Sequence, residues 1–441
     1  MHTQTEINKK WSDLKRKCDF YFSRIIAYPL SPPEHLYLSL TTRCNLKCLM
    51  CGVSIESSSE SDELSTAECK RLIDQSAGLG IGHLIFSGGE PLLRRDIFDL
   101  IEYAVSKDIA MVDIITNGLL IDDGAANNLT RIGLNHITVA LDGLEGVHNG
   151  IRGEGSYRRT VQAIDFVNKH RKNRLPTVGI NFTIMDCNID QILPVITLAL
   201  EKRCNSVVLQ PVLSDNTDMR QRKKGPFWVS EANIPKLRDI LNEVLEIKRA
   251  SRGLSIHVNE KVLKLIPDYF SGAGISDRLE CYEGIVRMVV THSGDLWTCL
   301  GVIGNIRKKA LKSCWLSFEA ERIRKEAVRC KEHCLQSCVH LPELSDIYLE
   351  AGEFANLIRA EGAEDSYLKK LLILFKGYRR MLIMKKWNNC FANIFRSGTT
   401  DTHKNLNDEI MLIPEVIKKL GLNIVSRNNK THSKNLSMPI E

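Results

Sequence analysis

The sequence predicts an α/β chain built on parallel strands. Two observations carry this: short apolar runs alternate with longer helical segments from Leu36 onward, and those segments repeat apolar residues at three and four spacing. Six strands are predicted, at Leu36 to Thr41, His83 to Ser87, Met111 to Thr116, His136 to Leu141, Thr177 to Thr183 and Ser206 to Gln210. Between them, Ser65 to Ala77 opens with a Ser-Thr-Ala-Glu capping box, and Arg95 to Ser106 and Ser156 to Lys169 show the helical period. Ile189 to Glu201 follows Asn188 as a cap. Such a series either curls into a partial barrel or lies as an open doubly wound sheet, and hydrophobic pattern leaves both open.

Ser214 to Phe227 is polar, with a basic run at Arg220 to Lys224, and reads as a loop over the barrel mouth before a helix at Glu231 to Arg249. Regular alternation stops near Glu280, so a boundary is expected between Gly253 and Leu279. The expected organisation is an N-terminal helical extension over 1–34, a barrel over 35–253, a cysteine-rich module over 279–342, a basic helical extension over 343–425 and a disordered tail over 426–441.

The 441 residues are 43% hydrophobic and 26% charged, which excludes disorder and collagen-like chains. No stretch approaches the roughly 18 apolar residues of a spanning helix, and Met1 to Lys10 is polar where a secretory signal needs an apolar run, so a cytoplasmic protein is expected. The net charge is +7, and Tyr367 to Trp387 carries seven Lys or Arg with no acid. The excess is local and lacks interleaved aromatics, so nucleic acid is not an expected partner.

Eight of the fourteen cysteines fall in two groups, which in a reducing compartment favours metal ligation over disulfides. Cys18, Cys69, Cys187, Cys204, Cys314 and Cys390 stand apart and read as buried hydrophobes or incidental thiols. Cys44-Asn-Leu-Lys-Cys48-Leu-Met-Cys51 follows the first strand and offers three thiols. Three thiolates suit an iron-sulfur cubane with one open iron, whereas structural zinc needs four ligands; His35 and His83 are the available fourth donors for zinc.

With this Cys-x3-Cys-x2-Cys loop the chain resembles the radical S-adenosylmethionine (SAM) superfamily, whose hallmark it is, placed after the first strand of a partial (β/α)6 TIM-like barrel. Ser87-Gly88-Gly89-Glu90-Pro91 looks like the family element that receives the SAM ammonium; glycines permit close approach and a carboxylate suits an amine. Thr116-Asn117-Gly118 and Ala140-Leu141-Asp142-Gly143 are similar to elements facing the SAM ribose and methionine, with Ala140 departing from the Ser common there. His148-Asn149-Gly150-Ile151-Arg152-Gly153 resembles a further string of that family. The resemblance gives Arg152 the SAM carboxylate, which a guanidinium fork matches, and His148 reads as loop packing.

Cys281, then twelve residues, Gly294, four residues and Cys299 bracket a predicted hairpin of Val286 to Thr291 and Asp295 to Leu300. Cys330-x3-Cys334-x3-Cys338 follows a predicted helix at Trp315 to Val328, with helical spacing that puts neighbouring thiols on one side of a turn. This is similar to the SPASM/twitch extension, small cysteine-rich and α+β, and Gly304-Asn305-Ile306 looks like its linking segment. A full pattern has seven cysteines and this chain five, so the resemblance implies one auxiliary 4Fe-4S cluster, held by Cys281, Cys299 and two of Cys330, Cys334 and Cys338. Zinc in this module stays an alternative.

The family chemistry implied is reductive cleavage of SAM to a 5'-deoxyadenosyl radical and hydrogen abstraction from a substrate, the auxiliary cluster handling the substrate electron, with flavodoxin or ferredoxin as donor. The competing class is a non-catalytic iron-sulfur electron carrier or a zinc-stabilised binding protein. Relatives act on peptides, protein side chains, sugars and other small metabolites, and fold does not choose among them. About 35 residues precede the first strand, fewer than a separate peptide-recognition domain needs. Leu368, Leu371, Phe375, Tyr378 and Leu382 share one side of a helix with Lys369, Lys376 and Arg380 opposite. Such a helix fits either packing on the domain or peripheral contact of Tyr367 to Trp387 with anionic lipid, which would bring in a lipid-linked substrate.

Overall fold

The computed structural model describes residues 3–52, 59–107, 109–213, 227–251, 253–272, 275, 279–330, 334–335 and 344–361, then 367, 369–371 and 373–383. They fall in two compact units, one over Asp19–Leu341 and the other over Met1–Cys18 with Pro342–Glu441. The expected loop at 214–226 and tail at 426–441 lie outside the described residues.

In the larger unit, strands β1 (His35–Ser39), β2 (His83–Ser87), β3 (Met111–Thr116), β4 (His136–Ala140), β5 (Thr177–Ile184) and β6 (Ser206–Pro211) pair in parallel and in chain order. That order decides between the two open architectures. A doubly wound sheet reverses its strand order at a switch point, whereas sequential right-handed crossovers place every helix on one face and let the sheet curl. The fold is therefore a partial barrel. A short β7 (Ser255–Ile256) adds to β6, and α9 (Glu260–Ser271) packs on α8 (Ile234–Ala250), so the stretch expected to hold the boundary carries one further strand and helix.

Register explains the two faces. Leu36, Leu38, Leu84, Phe86, Val112, Ile114, Ile137, Val139, Val178, Ile180, Phe182, Val207 and Leu209 alternate along the strands and are sealed in the core. Burying each such side chain is worth roughly 1.5–3 kcal/mol, which makes this row the main stabiliser. The opposite face carries polar groups among Ile85, Ile115 and Val208: Asp113 stands beside His136, His136 beside Thr177, and Thr138 beside Gly179, which stands beside Ser206. Gly179 is required there, since a Cβ would lie 2.5 Å from Ser206 Oγ and 2.8 Å from His136 Nε2.

The crossover helices are α2 (Thr66–Leu79), α3 (Ile97–Val105), α4 (Asp123–Arg131), α5 (Glu145–Arg152), α6 (Ser156–His170) and α7 (Ile192–Glu201). The predicted capping box is present at α2, where Ser65 and Glu68 satisfy each other's backbone N–H. Helices α4 and α5 were not expected, because Ala-Ala-Asn-Asn and two internal glycines blur the apolar period. Asn188 does not cap α7. It sits in a 3-10 turn before it, accepting from Met185 N and donating to the carbonyls of Asp142 and Thr183.

On the outer edge of β1 the sheet continues with β8 (Arg287–Val290), parallel to β1, then β9 (Asp295–Thr298) and β10 (Gly301–Asn305), both antiparallel. The expected single helix at Trp315 to Val328 is two, α10 (Leu311–Trp315) and α11 (Phe318–Val328), because Ser317 caps a new start by accepting from Ala320 N.

In the smaller unit the first part of α1 (Gln4–Ile26) meets α12 (Leu344–Ala360) through Trp11 and Phe354, whose ring centroids are 5.9 Å apart. Tyr367 packs on both rings and accepts from Gln4 Nε2 at 2.7 Å. Beyond it, Leu371, Phe375, Tyr378 and Leu382 are buried. The apolar face required for lipid contact is thus already covered, which corrects the membrane alternative in favour of packing; Leu368 and residues 384–387 lie outside the described set. No helix among the described residues is long and apolar enough to cross a membrane.

Candidate active site

Every element singled out for SAM chemistry sits at the C-terminal edge of the parallel strands. The Cys44 to Cys51 loop leaves β1, Gly88 to Glu90 leaves β2, Asn117 leaves β3 and Asp142 leaves β4. Parallel register makes this unavoidable, since all strand ends point one way. Arg152 closes α5 at the same end, and Leu49 N donates to Ile151 O at 3.0 Å, tying the cysteine loop to that helix.

Cys48 is buried and Cys44 and Cys51 are half-buried. Burial pushes the Cys44 and Cys48 thiols up, and in both cases the neighbouring cysteines of the loop push the same way. Leu46 N and Asn117 Nδ2 donate to Cys44 Sγ, at 3.4 and 3.8 Å, and Arg152 Nη1 lies 3.7 Å from Cys48 Sγ. Among the described residues no three His, Cys, Asp or Glu side chains converge on a single-ion position. The donor set nevertheless fits an iron-sulfur cluster: three thiols on one loop, with N–H donors, one of them the Arg152 guanidinium, aimed at two of them. The histidines available for a zinc site do not serve it. His35 and His83 open β1 and β2, at the other end of the strands, where their Nδ1 atoms are 3.0 Å apart.

The glycines have a local task in the backbone. Gly88 takes φ 137°, and a Cβ on Gly89 would fall 2.8 Å from Thr42 O and inside contact distance of Arg43 O. Gly89 N donates to Thr41 O at 2.6 Å and Glu90 N to Arg43 O at 2.8 Å, so this turn is locked onto the entry of the cysteine loop. Glu90 is enclosed: it accepts from Thr116 Oγ1 at 2.8 Å, Leu92 N at 3.1 Å and Asn117 N at 2.9 Å. Burial raises its pKa against those bonds. Asn117 Nδ2 also donates to Asn45 at 2.7 Å.

Asp142 is likewise enclosed, accepting from Thr183 N at 2.8 Å and Arg152 Nε at 2.6 Å. Both carboxylates therefore shape the strand ends from within. His148 is a packing residue as expected: its Nδ1 accepts from Asp142 N at 3.1 Å, and burial lowers its pKa to about 4. Sequence reasoning missed Thr41, Arg43, Glu63 and Arg94, which brace this edge; only the Pro-Leu-Leu-Arg after Glu90 offered a signal.

In the adjoining module, Cys281 precedes β8 and Cys299 lies in the two-residue turn between β9 and β10, bringing both to the same end of the hairpin. Cys330 and Cys334 follow the end of α11 and are not helical, which corrects the helical-turn reading of their spacing. Cys338 and Cys390 lie outside the described residues. Cys18, Cys69, Cys204 and Cys314 are buried and Cys187 is exposed.

The family model described as Radical SAM superfamily matches residues 38–199. The AdoMet-dependent heme synthase of Methanosarcina barkeri (strain Fusaro / DSM 804) is 34% identical over 324 residues, 68% of this chain and 87% of that one. The chain belongs to the radical SAM superfamily. The PqqA peptide cyclase of Gluconobacter oxydans (strain 621H) is 31% identical over 244 residues, 54% of this chain and 63% of that one. Among solved structures, anSMEcpe with bound AdoMet and Cp18Cys peptide shares the fold, with TM-score 0.54 and 18% identity over 75% of this chain and 99% of that one. This radical SAM enzyme takes SAM and a 4Fe-4S cluster as the family does, and its relatives include SPASM-type enzymes.

Proposed function

We propose that this radical SAM enzyme oxidises a C–H bond of an uncharged, amide-rich substrate such as a peptide segment held inside the barrel. When bound, the reduced cluster supplies the electron that splits SAM into methionine and a 5'-deoxyadenosyl radical, which takes the substrate hydrogen. Cys44, Cys48 and Cys51 hold that cluster, Arg152 takes the SAM carboxylate, and Asn117 with the Gly88-Gly89 backbone borders the SAM site. Glu90 and Asp142 keep these groups in place through the hydrogen bonds described above. Cys281, Cys299 and two of Cys330, Cys334 and Cys338 hold one auxiliary 4Fe-4S cluster that accepts the substrate electron, and a flavodoxin or ferredoxin supplies reducing power in the cytoplasm.

The substrate reading rests on one observation. On β1 to β7 the face opposite the core row presents Tyr37, Asn181, Thr183 and Gln210, all half-buried, beside Ile85, Ile115 and Val208, and its one described Lys or Arg, Arg287 of β8, stands beside His35 at the start of β1, away from the cysteine loop, and is paired with Glu283. Amides and hydroxyls pair with amides, whereas phosphates and carboxylates need cations. A peptide in the solved relative and the peptide cyclase agree with this choice. A second reading, a tetrapyrrole, is favoured by the heme synthase, whose length this chain matches to 87%.

The test is anaerobic reconstitution with iron and sulfide, dithionite reduction and chromatography for 5'-deoxyadenosine with SAM, beside a triple variant Cys44→Ala, Cys48→Ala, Cys51→Ala. Deoxyadenosine from the intact protein only, with about 8 irons per chain falling by about 4 in the variant, supports both clusters. Zinc in place of iron and no deoxyadenosine would overturn the reading. Stimulation by iron-coproporphyrin but by none of a panel of unmodified peptides would replace the peptide by the tetrapyrrole.

A further inference from the structure

Glu63 opens no helix or strand, belongs to no motif, and sits after a 3-10 turn at Glu60–Asp62, yet its side chain is 3% exposed. A buried carboxylate needs countercharge and hydrogen bonds, and this one has both. Arg43 Nε donates to Oε1 at 2.9 Å and Arg43 Nη2 to Oε2 at 3.1 Å, a two-pronged fork, while Thr41 Oγ1 donates to Oε1. Arg94 Nη1 approaches Oε2 at 3.3 Å and also donates to Leu64 O at 2.9 Å and Leu40 O at 3.3 Å. The other edge of Arg94 is a fork onto Asp96, at 2.9 and 2.8 Å. The pairing with Glu63 raises the Arg43 pKa, so this guanidinium stays charged.

The placement of the two arginines gives the pairing its meaning. Arg43 is the residue before Cys44, and Arg94 comes four residues after Glu90, which ends the Gly88-Gly89-Glu90 turn. One carboxylate thus holds the entry of the cysteine loop and the exit of the glycine turn, whose backbones are already bonded to each other. The auxiliary module touches the same segment: Arg307 Nη2 donates to Glu63 O at 2.8 Å, Arg307 Nε to Glu68 Oε1 at 3.0 Å, and Leu64 N to His292 O at 2.7 Å.

We infer that Glu63 is a positioning residue for the Cys44 loop, fixing its entry through Arg43 and balancing the buried charge beside it. Glu63 and Asp96 face the guanidiniums of Arg43 and Arg94, and the exposed Glu60 lies 3.7 Å from Arg43. Glu63→Gln keeps the shape and removes one buried negative charge beside Arg43, the residue before Cys44. That change favours the more negative, reduced state of a cluster held there, and the loosened fork frees the loop.

Two readouts test this, the first without any cluster. In iron-free protein under denaturant-free conditions, Glu63→Gln should speed alkylation of Cys44 by iodoacetamide several-fold relative to the buried Cys69 in the same chain. In reconstituted protein it should move the cluster midpoint potential upward, and Glu63→Gln with Arg43→Gln should bring it back toward the wild-type value. The potential readout rests on Cys44 being a cluster ligand; the alkylation readout does not, so the two failures are distinguishable. If Glu63→Gln loses its cooperative melt, Arg43→Gln alone is measured, with faster alkylation and a lowered potential expected. Alkylation of the folded variant at the wild-type rate overturns the inference, as does an unchanged potential in protein shown to carry the three-cysteine cluster.

Discussion

Replacing Asp113 by Asn should change how stability depends on pH. Asp113 lies on the polar face of β3, and burial pushes its carboxyl up to about 7, with His136 acting the other way. Its unfolded value is about 3.9. A folded pKa above the unfolded one contributes stability that is complete below the unfolded value and is lost as pH rises through the folded one. From about pH 5.5 to 8 the loss is about 1.36 × 1.5, or ~2 kcal/mol, and it levels off above. His83 has the opposite sign: burial lowers it to about 4, so its stability is present above the unfolded value near 6.5 and fades as pH falls toward 4. His136 and His257 are also lowered by burial and follow His83 in sign, and Glu34 opposes the shift at His83.

His83 Nε2 and Asp113 Oδ2 are 3.8 Å apart, yet in the folded protein the imidazole is charged only where the acid is neutral, so they do not form an ion pair. Their buried Nε2 and Oδ1 atoms have no hydrogen-bond partner among the described residues. The Asp113→Asn substitution would keep the shape and lose the titration. Urea unfolding followed by circular dichroism, anaerobically from about pH 5.5 to 8, should show the wild type losing ~2 kcal/mol relative to the variant across that range. Two curves separated by the same offset at every pH would refute the assignment.

Gly89→Ala should prevent cluster loading, because the added methyl meets the Arg43 carbonyl carbon at 2.7 Å; iron per chain falling well below that of the wild type is the expected result. Arg324→Ala should cost about 3–5 kcal/mol, read as a lowered melting temperature, since a buried guanidinium donating to Gly284 O at 2.7 Å and stacked 4.6 Å from Trp315 is removed from a sealed core. Arg152→Lys should raise the SAM KM by about tenfold with less effect on kcat, because an ammonium cannot match a carboxylate with two parallel bonds while also serving Asp142; an unchanged KM would remove Arg152 from the SAM site.

Local signals determined a great deal. Strand positions followed from runs of Leu, Ile and Val, the α2 cap from Ser65 and Glu68, and the candidate cluster ligands from the spacing of Cys44, Cys48 and Cys51, because each signal is written within one turn or one strand. The family element Gly88-Gly89-Glu90 was legible for the same reason. Its physical task was not: that Gly89 must admit the Arg43 carbonyl, and that Glu90 turns inward to hold Asn117, depends on which strands become neighbours.

Strand order, too, was beyond hydrophobic pattern, since both faces of a parallel sheet are buried whether it lies open or curls; pairing β1 through β7 in sequence settled it. The polarity of the inner face became visible only once register placed Asp113 beside His136 and Thr138 beside Gly179. Tyr367 to Leu382 shows the same limit from the other side. An amphipathic stripe states that one face is to be covered, and only the folded chain, which buries Leu371, Phe375, Tyr378 and Leu382, shows that protein covers it. Glu63 is the extreme case: a lone carboxylate without a motif, whose partners lie 20 and 31 residues away and meet it only because β1, β2 and α2 share one edge.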